Sequence, residues 1–407
     1  MQVIIAIVCL GLLMWAEPAG AQTTHSLTVS HHRNVELSND DVDTILHDAS
    51  KLLHKEPGHV DTLDDFACNV TLRRRGAVRT FASPSTPGKI TSRAERDAVH
   101  RESADIKVVS MINFCKDLGP VAGCTWPPEA HSMIIVRPGP TLPRVFQHMV
   151  WAHEFGHRTG LRHRSDPEAL MTICSLSPQA ANQVKVSKDE CNCFISGAGS
   201  CPGKQEPTNL RCGLPVTLRN IVRSPFIDEI PYALISRGSP SELPALVSML
   251  QDASEQNSWA NIATVLGLVG DGDTGRTLKD FIESDPAGVD ASSAFRAKSA
   301  AVVALGYLLN RIDDASARAV LLDTAYRYSW EQAGPWIGQS METRRARIEG
   351  LEESKMVALA LSGHPEAGRM LQRLAPNERR GQQLIDDLMQ TYFKVRERGL
   401  AAYYGAE

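Results

Sequence analysis

Between residues 38 and 55 the stretch SNDDVDTILHDASKLLHK sets Val42, Ile45, Leu52 and Leu53 on one helical face. Acids fill its first turn and Ser38 or Asn39 can cap it, which predicts an amphipathic helix. Around it the period changes. HSLTVSHHRNVELS (25–38) reads as strand, and NVTLRRRGAVRTF (69–81) alternates as a strand or hairpin. DIKVVSMI (105–112) and HSMIIVRP (131–138) are short β-branched runs between turn residues, hence strands. A helical period returns in TLPRVFQHMVWAHEFGH (141–157), where Thr141 can cap and Pro143 is tolerated in the first turn. Its apolar face, Phe146, Met149 and Val150, runs on into His153 and His157. Strand, helix, three strands and helix predict an α+β or α/β domain over residues 22–185.

Residues 186–224 break the pattern. CNCFISGAGSCPGKQEPTNLRCGLP is rich in Cys, Gly and Pro and reads as a disulfide-held linker module. From about residue 225 the pattern becomes helical, and 225–407 reads as one helical region. Leu243, Leu246, Val247 and Leu250 follow i, i+3, i+4, i+7, and so do Ile262, Val265, Leu266 and Val269. VLGLVGDGDTGRTL (265–278) aligns with ALALSGHPEAGRML (358–371), matching Gly270 with Gly363, Gly275 with Gly368, Arg276 with Arg369 and Leu278 with Leu371. AVVALGYLLN (301–310) is a looser copy. A unit of helix, glycine turn and helix buries its apolar face only on its neighbours. The stretch resembles degenerate HEAT-type repeats, an irregular helical bundle being the other reading. The expected fold is multidomain, an α+β domain followed by an all-α repeat domain.

The N-terminus adds a destination. VIIAIVCLGLLMW (3–15) is apolar but too short to span a bilayer, and Ala19-Gly20-Ala21 has the form of a cleavage site. Residues 1–21 therefore read as a signal peptide, although no Lys or Arg precedes the apolar run. Of nine cysteines Cys9 lies in that leader, and Cys68, Cys115, Cys124, Cys174, Cys191, Cys193, Cys201 and Cys212 remain. An even number in an exported chain argues for disulfides and a secreted or periplasmic location. A net charge of −4 with no basic stripe beyond Arg73–Arg75 gives no footprint for nucleic acid.

Candidate chemistry is concentrated in HEFGHRTGLRH (153–163). His153 and His157 are four apart and project from one helix face. Gly160 can take a left-handed conformation, ending the helix so that the chain returns His163 as a third nitrogen. Three imidazoles suit one Zn²⁺ and leave a fourth position for water, whose pKa zinc lowers toward about 7. Glu154 is beside the pair and not in it, placed as general base.

The full H-E-x-x-H-x-x-G-x-x-H, followed by RSDPEALMTI, resembles the metzincin metallopeptidases, closest to the matrixin branch at SDPEALM. The resemblance implies that Met171 forms the methionine turn beneath the metal. It covers residues 153–171. Two features depart from it: Thr172 and Ile173 follow the methionine where matrixins have Tyr-Pro, and no inhibitory cysteine segment precedes residue 153. LRCGLPV (210–216) resembles that segment but lies after the helix; Cys212 is read as a disulfide cysteine, an inhibitory thiol being the alternative. His131 and His148 are read as structural or exposed. His25, His31 and His32 are read as not binding metal. Cys191, Cys193, Cys201 and Cys212 are read as disulfides in preference to a zinc site.

The combined reading is a secreted zinc-dependent endopeptidase acting on protein or peptide, with Glu154 as base, His153, His157 and His163 as ligands, and one catalytic Zn²⁺. Its helical domain would present substrate or bind a protein partner. Neither nucleic-acid binding nor a membrane span is expected. A calcium requirement, the substrate and its cleavage preference are not readable from the chain. The rival class is a protein-binding module built on the helical domain, with a vestigial metal site. A zinc hydrolase of a non-protein substrate is a third.

Overall fold

The computed structural model describes residues 22–126, 131–137, 144–164, 166, 168–172, 183–201, 217–227, 229–284, 288–323, 330, 340–374 and 382–405. Residues 1–21, Thr141, Pro143, Cys174 and Cys212 lie outside the described residues. Among the described residues of the N-terminal half there are ten strands: β1 (Thr23–Leu27), β2 (Val29–His31), β3 (Val70–Arg74), β4 (Arg79–Thr80), β5 (Lys89–Ile90), β6 (Ile106–Val109), β7 (Met111–Phe114), β8 (Leu118–Val121), β9 (Gly123–Cys124) and β10 (Met133–Val136). Helices α1 (Asn39–His54), α2 (Arg93–His100), α3 (Arg144–Thr159) and α4 (Lys188–Ser196) pack around them. Ser38 caps α1 in a reciprocal capping box with Asp41, and Val42, Ile45, Leu46, Ala49, Leu52 and Leu53 are buried, as the period predicts.

The main sheet has the order β4-β2-β6-β10-β9, parallel except for β9, which runs antiparallel on the edge. β1 pairs with β3, and β5, β7 and β8 form a third, three-stranded sheet. Residues 69–81 are not a hairpin: β3 joins β1 and β4 joins β2, both in parallel. Alternation alone does not name a strand's partner, and the intervening Arg75–Ala77 is exposed and leads from one sheet to the other.

The main sheet divides two apolar clusters. On β10, Met133 and Ile135 face a cluster that includes α1, α3 and α4, while Ile134 and Val136 face a cluster that includes the C-terminal helices. Both faces are thus covered, which suits an unbroken apolar MIIV strand. Residues 188–196, in the cysteine-rich segment, form α4, and its Cys191 and Phe194 lie in the first cluster.

After residue 217 the described residues form helices: α5 (Leu218–Arg223), α6 (Tyr232–Ile235), α7 (Leu243–Gln251), α8 (Trp259–Val269), α9 (Thr274–Glu283), α10 (Ala291–Ile312), α11 (Ala315–Leu322), α12 (Met341–Ser362), α13 (Pro365–Leu374) and α14 (Gln382–Tyr403). The long α10 packs against both α8 and α12, and the short α11 against α9 and α13. The matched glycines sit at close approaches. A Cβ on Gly275 would lie 1.9 Å from Asp314 Oδ1, and one on Gly368 2.5 Å from Tyr392 Cζ. The far end of the chain docks on β8. Leu118 N–H donates to the Tyr403 hydroxyl at 2.8 Å, and the Tyr404 hydroxyl donates to Leu118 O at 2.6 Å. Tyr404 is also 2.8 Å from the Tyr307 hydroxyl. Among the described residues no helix is long and apolar enough to cross a membrane.

Candidate metal centre

α3 lies on the sheet with Phe146, Met149, Val150, Trp151, Ala152 and Phe155 buried, and this fixes its rotation. His153 and His157 then emerge on one side. The helix stops at Gly160, whose φ is +100°. Gly160 N–H donates to His157 O at 2.9 Å and Leu161 N–H to Gly156 O at 3.1 Å. That pair is a Schellman ending, which needs a left-handed residue at this position. A Cβ on Gly160 would also lie 1.9 Å from the Cys201 carbonyl oxygen. The turn 197–201 is there because it closes the helix: Gly199 N–H and Cys201 N–H donate to Arg158 O and Thr159 O at 3.0 and 2.9 Å. The Cys193–Cys201 disulfide ties this turn to α4.

Past Gly160 the chain reverses and brings His163 to the pair. His157 Nε2 is 3.0 Å from His153 Nε2 and 3.1 Å from His163 Nε2. His153 Nδ1 faces Leu170 O at 2.7 Å and His157 Nδ1 faces Leu161 O at 2.8 Å. Carbonyl oxygens only accept, so both rings carry their proton on Nδ1 and turn a bare Nε2 lone pair inward. Two such lone pairs 3.0 Å apart repel unless a cation lies between them. Zinc–nitrogen bonds of about 2.0–2.1 Å at tetrahedral angles place nitrogens roughly 3.3–3.4 Å apart, close to what is found. The three residues are a group that can hold a metal ion, and carbonyls orienting two of the imidazoles are the usual support for such ligands.

Met171 is fully buried and sits under α3: a Cβ on Gly156 would lie 2.3 Å from its Sδ. Gly156, inside the motif, is therefore small because the methionine passes there. The same turn orients His153 through Leu170 O, and Arg164 N–H holds it by donating to Met171 O at 2.7 Å. Arg164 in turn pairs with Glu190 of α4 at 2.9 Å. Burial raises the Glu190 carboxyl pKa, and the Arg164 charge opposes that shift.

Glu154, which follows His153 directly in sequence, is fully buried. Thr125 donates its hydroxyl to Glu154 Oε2 at 2.6 Å. On the other side lies Gly123 of β9, where a Cβ would come within 2.1 Å of Glu154 Oε1. Neither residue is visible as functional in the sequence. Thr125 is 29 positions from Glu154, and no local spacing signals the contact.

The other histidines go elsewhere. His25 meets Phe194 O at 2.8 Å, His31 meets His32 O at 3.0 Å, and His148 is buried on α3. Cys68 bonds Cys191, Cys115 bonds Cys124 and Cys193 bonds Cys201, so three of the four late cysteines are spoken for by disulfides.

The matrixin family model matches residues 141–195. This span contains all of α3, the returning His163, Met171 and most of α4. Together the match and the histidine triad fit a metzincin-like zinc site. No curated protein and no solved structure matches the chain.

Proposed function

We propose that the protein is an exported zinc-dependent endopeptidase. The observation that carries the reading is the convergence of three Nε2 atoms, two with an Nδ1 facing a carbonyl, on a helix whose buried Glu154 follows His153 directly in sequence. His153, His157 and His163 would hold the metal. When bound, zinc supplies Lewis-acid polarisation of a carbonyl and a lowered pKa for water. Glu154 is the proton carrier: it takes a proton from the attacking water and delivers it to the leaving amine. Thr125 keeps one carboxylate oxygen fixed, which leaves the other oriented for that transfer. The edge strand β9 borders the glutamate, and an extended peptide adds to such an edge through backbone hydrogen bonds.

Export is supported by the leader-like first 21 residues and by three disulfides. The stacked helix pairs after residue 225 are read as HEAT-like repeats that bind a protein partner or substrate. Catalytic residues 22–185, a cysteine-rich segment 186–224 and the helical region 225–407 remain the proposed division of the chain.

Glu154→Gln tests the mechanism. It keeps shape and the Thr125 contact but cannot take the proton. Zinc content should match the parent, and casein cleavage should fall by about 10²–10⁴-fold. Undiminished cleavage by the variant would refute the assignment of Glu154.

A further inference from the structure

The strand nearest Glu154 already has a chain lying on it. β9 ends the main sheet, and its inner side is taken by β10 through the pairs Ile134↔Cys124 and Ile135↔Gly123, continued by Val136 N–H to Ala122 O at 2.8 Å. Two amides here are already bonded to another segment: that of Gly123, which opens β9, and that of Ala122, at the bend before it. Ala122 N–H reaches Phe226 O at 2.8 Å and Ile227 O at 2.7 Å, and Gly123 N–H reaches Ile227 O at 2.7 Å. Gly123 is also the residue whose Cβ would touch Glu154. The segment between α5 and α6 thus uses the Gly123 amide, which an added peptide strand would need, at the residue that abuts the proposed base.

This segment belongs to the helical half. Phe226 is buried in the C-terminal cluster, while Ile227 is buried in the catalytic one. Asn261, on α8, donates its side-chain amide to Val222 O at 3.2 Å and Ser224 O at 2.5 Å, holding the approach to the strap. Ser224 itself is buried.

We propose that residues 224–227 are an autoinhibitory strap: they occupy the β9 edge in the resting protein, and peptide binds only as the strap comes away. The inference rests on the peptidase reading of the same site. It gives the helical array a task, because whatever shifts α5 and α8 relative to the sheet releases the edge. The contact competes with substrate directly and involves none of the histidines.

The test uses the full zinc-loaded chain and fluorescein-labelled β-casein. Asn261→Ala and Phe226→Ala loosen the strap without touching the catalytic groups. Each is made with Glu154 intact for cleavage, and together with Glu154→Gln for binding by fluorescence anisotropy. Hydrogen exchange over 118–126 and 222–227 reports the strap. Expected are faster exchange at Ala122 and Gly123, casein binding at least about tenfold tighter, and a matching rise in kcat/KM. Faster exchange with unchanged or weaker casein binding would overturn the proposal. A second measurement needs no strap variant. In the Glu154→Gln chain alone, saturating casein should speed exchange across 222–227, since strap and peptide exclude one another; slowed or unchanged exchange there would also overturn it. The two readings part cleanly. Tighter binding without cleavage by any Glu154-intact chain sinks the peptidase and keeps the strap. Cleavage by the parent that the loosened chains do not exceed sinks the strap and keeps the peptidase.

Discussion

Gly160→Ala places a single methyl group where the helix end, the metal loop and the disulfide-held turn meet. Two costs are separable. A non-glycine residue in the left-handed region costs about 1–2 kcal/mol. The new Cβ would also lie 1.9 Å from the Cys201 carbonyl, which cannot simply rotate away because Cys201 is bonded to Cys193 and its N–H to Thr159 O. Forcing that backbone aside costs a further amount of about 1–3 kcal/mol. Gly58 supplies the control, with φ +91° and nothing within 4 Å of its Cβ position. Gly58→Ala should therefore lose about 1–2 kcal/mol and Gly160→Ala about 2–5 kcal/mol in denaturant unfolding of the zinc-free protein. Zinc competition against a chromophoric chelator should then show at least about tenfold weaker binding for Gly160→Ala alone. Leu161, whose carbonyl orients His157, and His163 both follow the displaced residue. Equal destabilisation by the two substitutions, or an unchanged zinc affinity, would refute the reasoning.

His157→Ala removes the nitrogen that lies within about 3 Å of both others, and zinc content measured by mass spectrometry should fall sharply; full retention would reject the ligand set. Burial, with the charges of Lys107 and Arg96, lowers the His100 pKa from 6.5 to about 4, so the folded state binds fewer protons than the unfolded state between those values. Stability of the zinc-free chain should fall as pH drops through that window, by at most about 3 kcal/mol from this group. His100→Gln should flatten that part of the profile, and an unchanged slope would exclude His100. Tyr404→Phe leaves Leu118 O and the Tyr307 hydroxyl without their shared partner and should cost about 1–2 kcal/mol in thermal unfolding. A neutral result would mean that the Tyr404 hydroxyl does not help fasten the C-terminal helix to β8.

What was legible in the chain follows from locality. The three histidines, Glu154 and Gly160 lie within eleven residues on one helix and its turn, so spacing alone gave their geometry. The cap of α1 was likewise a matter of adjacent residues. Thr125 and Gly123 were hidden because a strand's neighbours are set by the sheet and not by its own period. β8 and β9, LGPV and GC, are too short and too rich in Gly and Pro to announce themselves as strands. Residues 69–81 read as a strand or hairpin and are strands without the hairpin, since two alternating runs do not say that they pair with each other. Gly156 did carry a signal in retrospect: a glycine mid-helix, costly for the helix itself, marks a close approach. The cysteine count argued for oxidation, but only the fold shows that Cys191 and Cys193, two residues apart, bond in different directions.

Should zinc occupy the triad, the turn 197–201 would couple its binding to the redox state of the Cys193–Cys201 pair. With Cys193–Cys201 closed, the turn is tethered where it donates to the end of α3 and sits against Gly160; with the bond open, that tether to α4 is lost. If oxidation strengthens zinc binding by some factor, zinc must make the oxidised pair harder to reduce by that same factor, because the two equilibria close a thermodynamic cycle. The ion and the sulfur pair would then protect one another across a helix end. A chelator should render the protein sensitive to mild reductant, and a reductant should render it leaky for zinc, although no cysteine is among the proposed ligands.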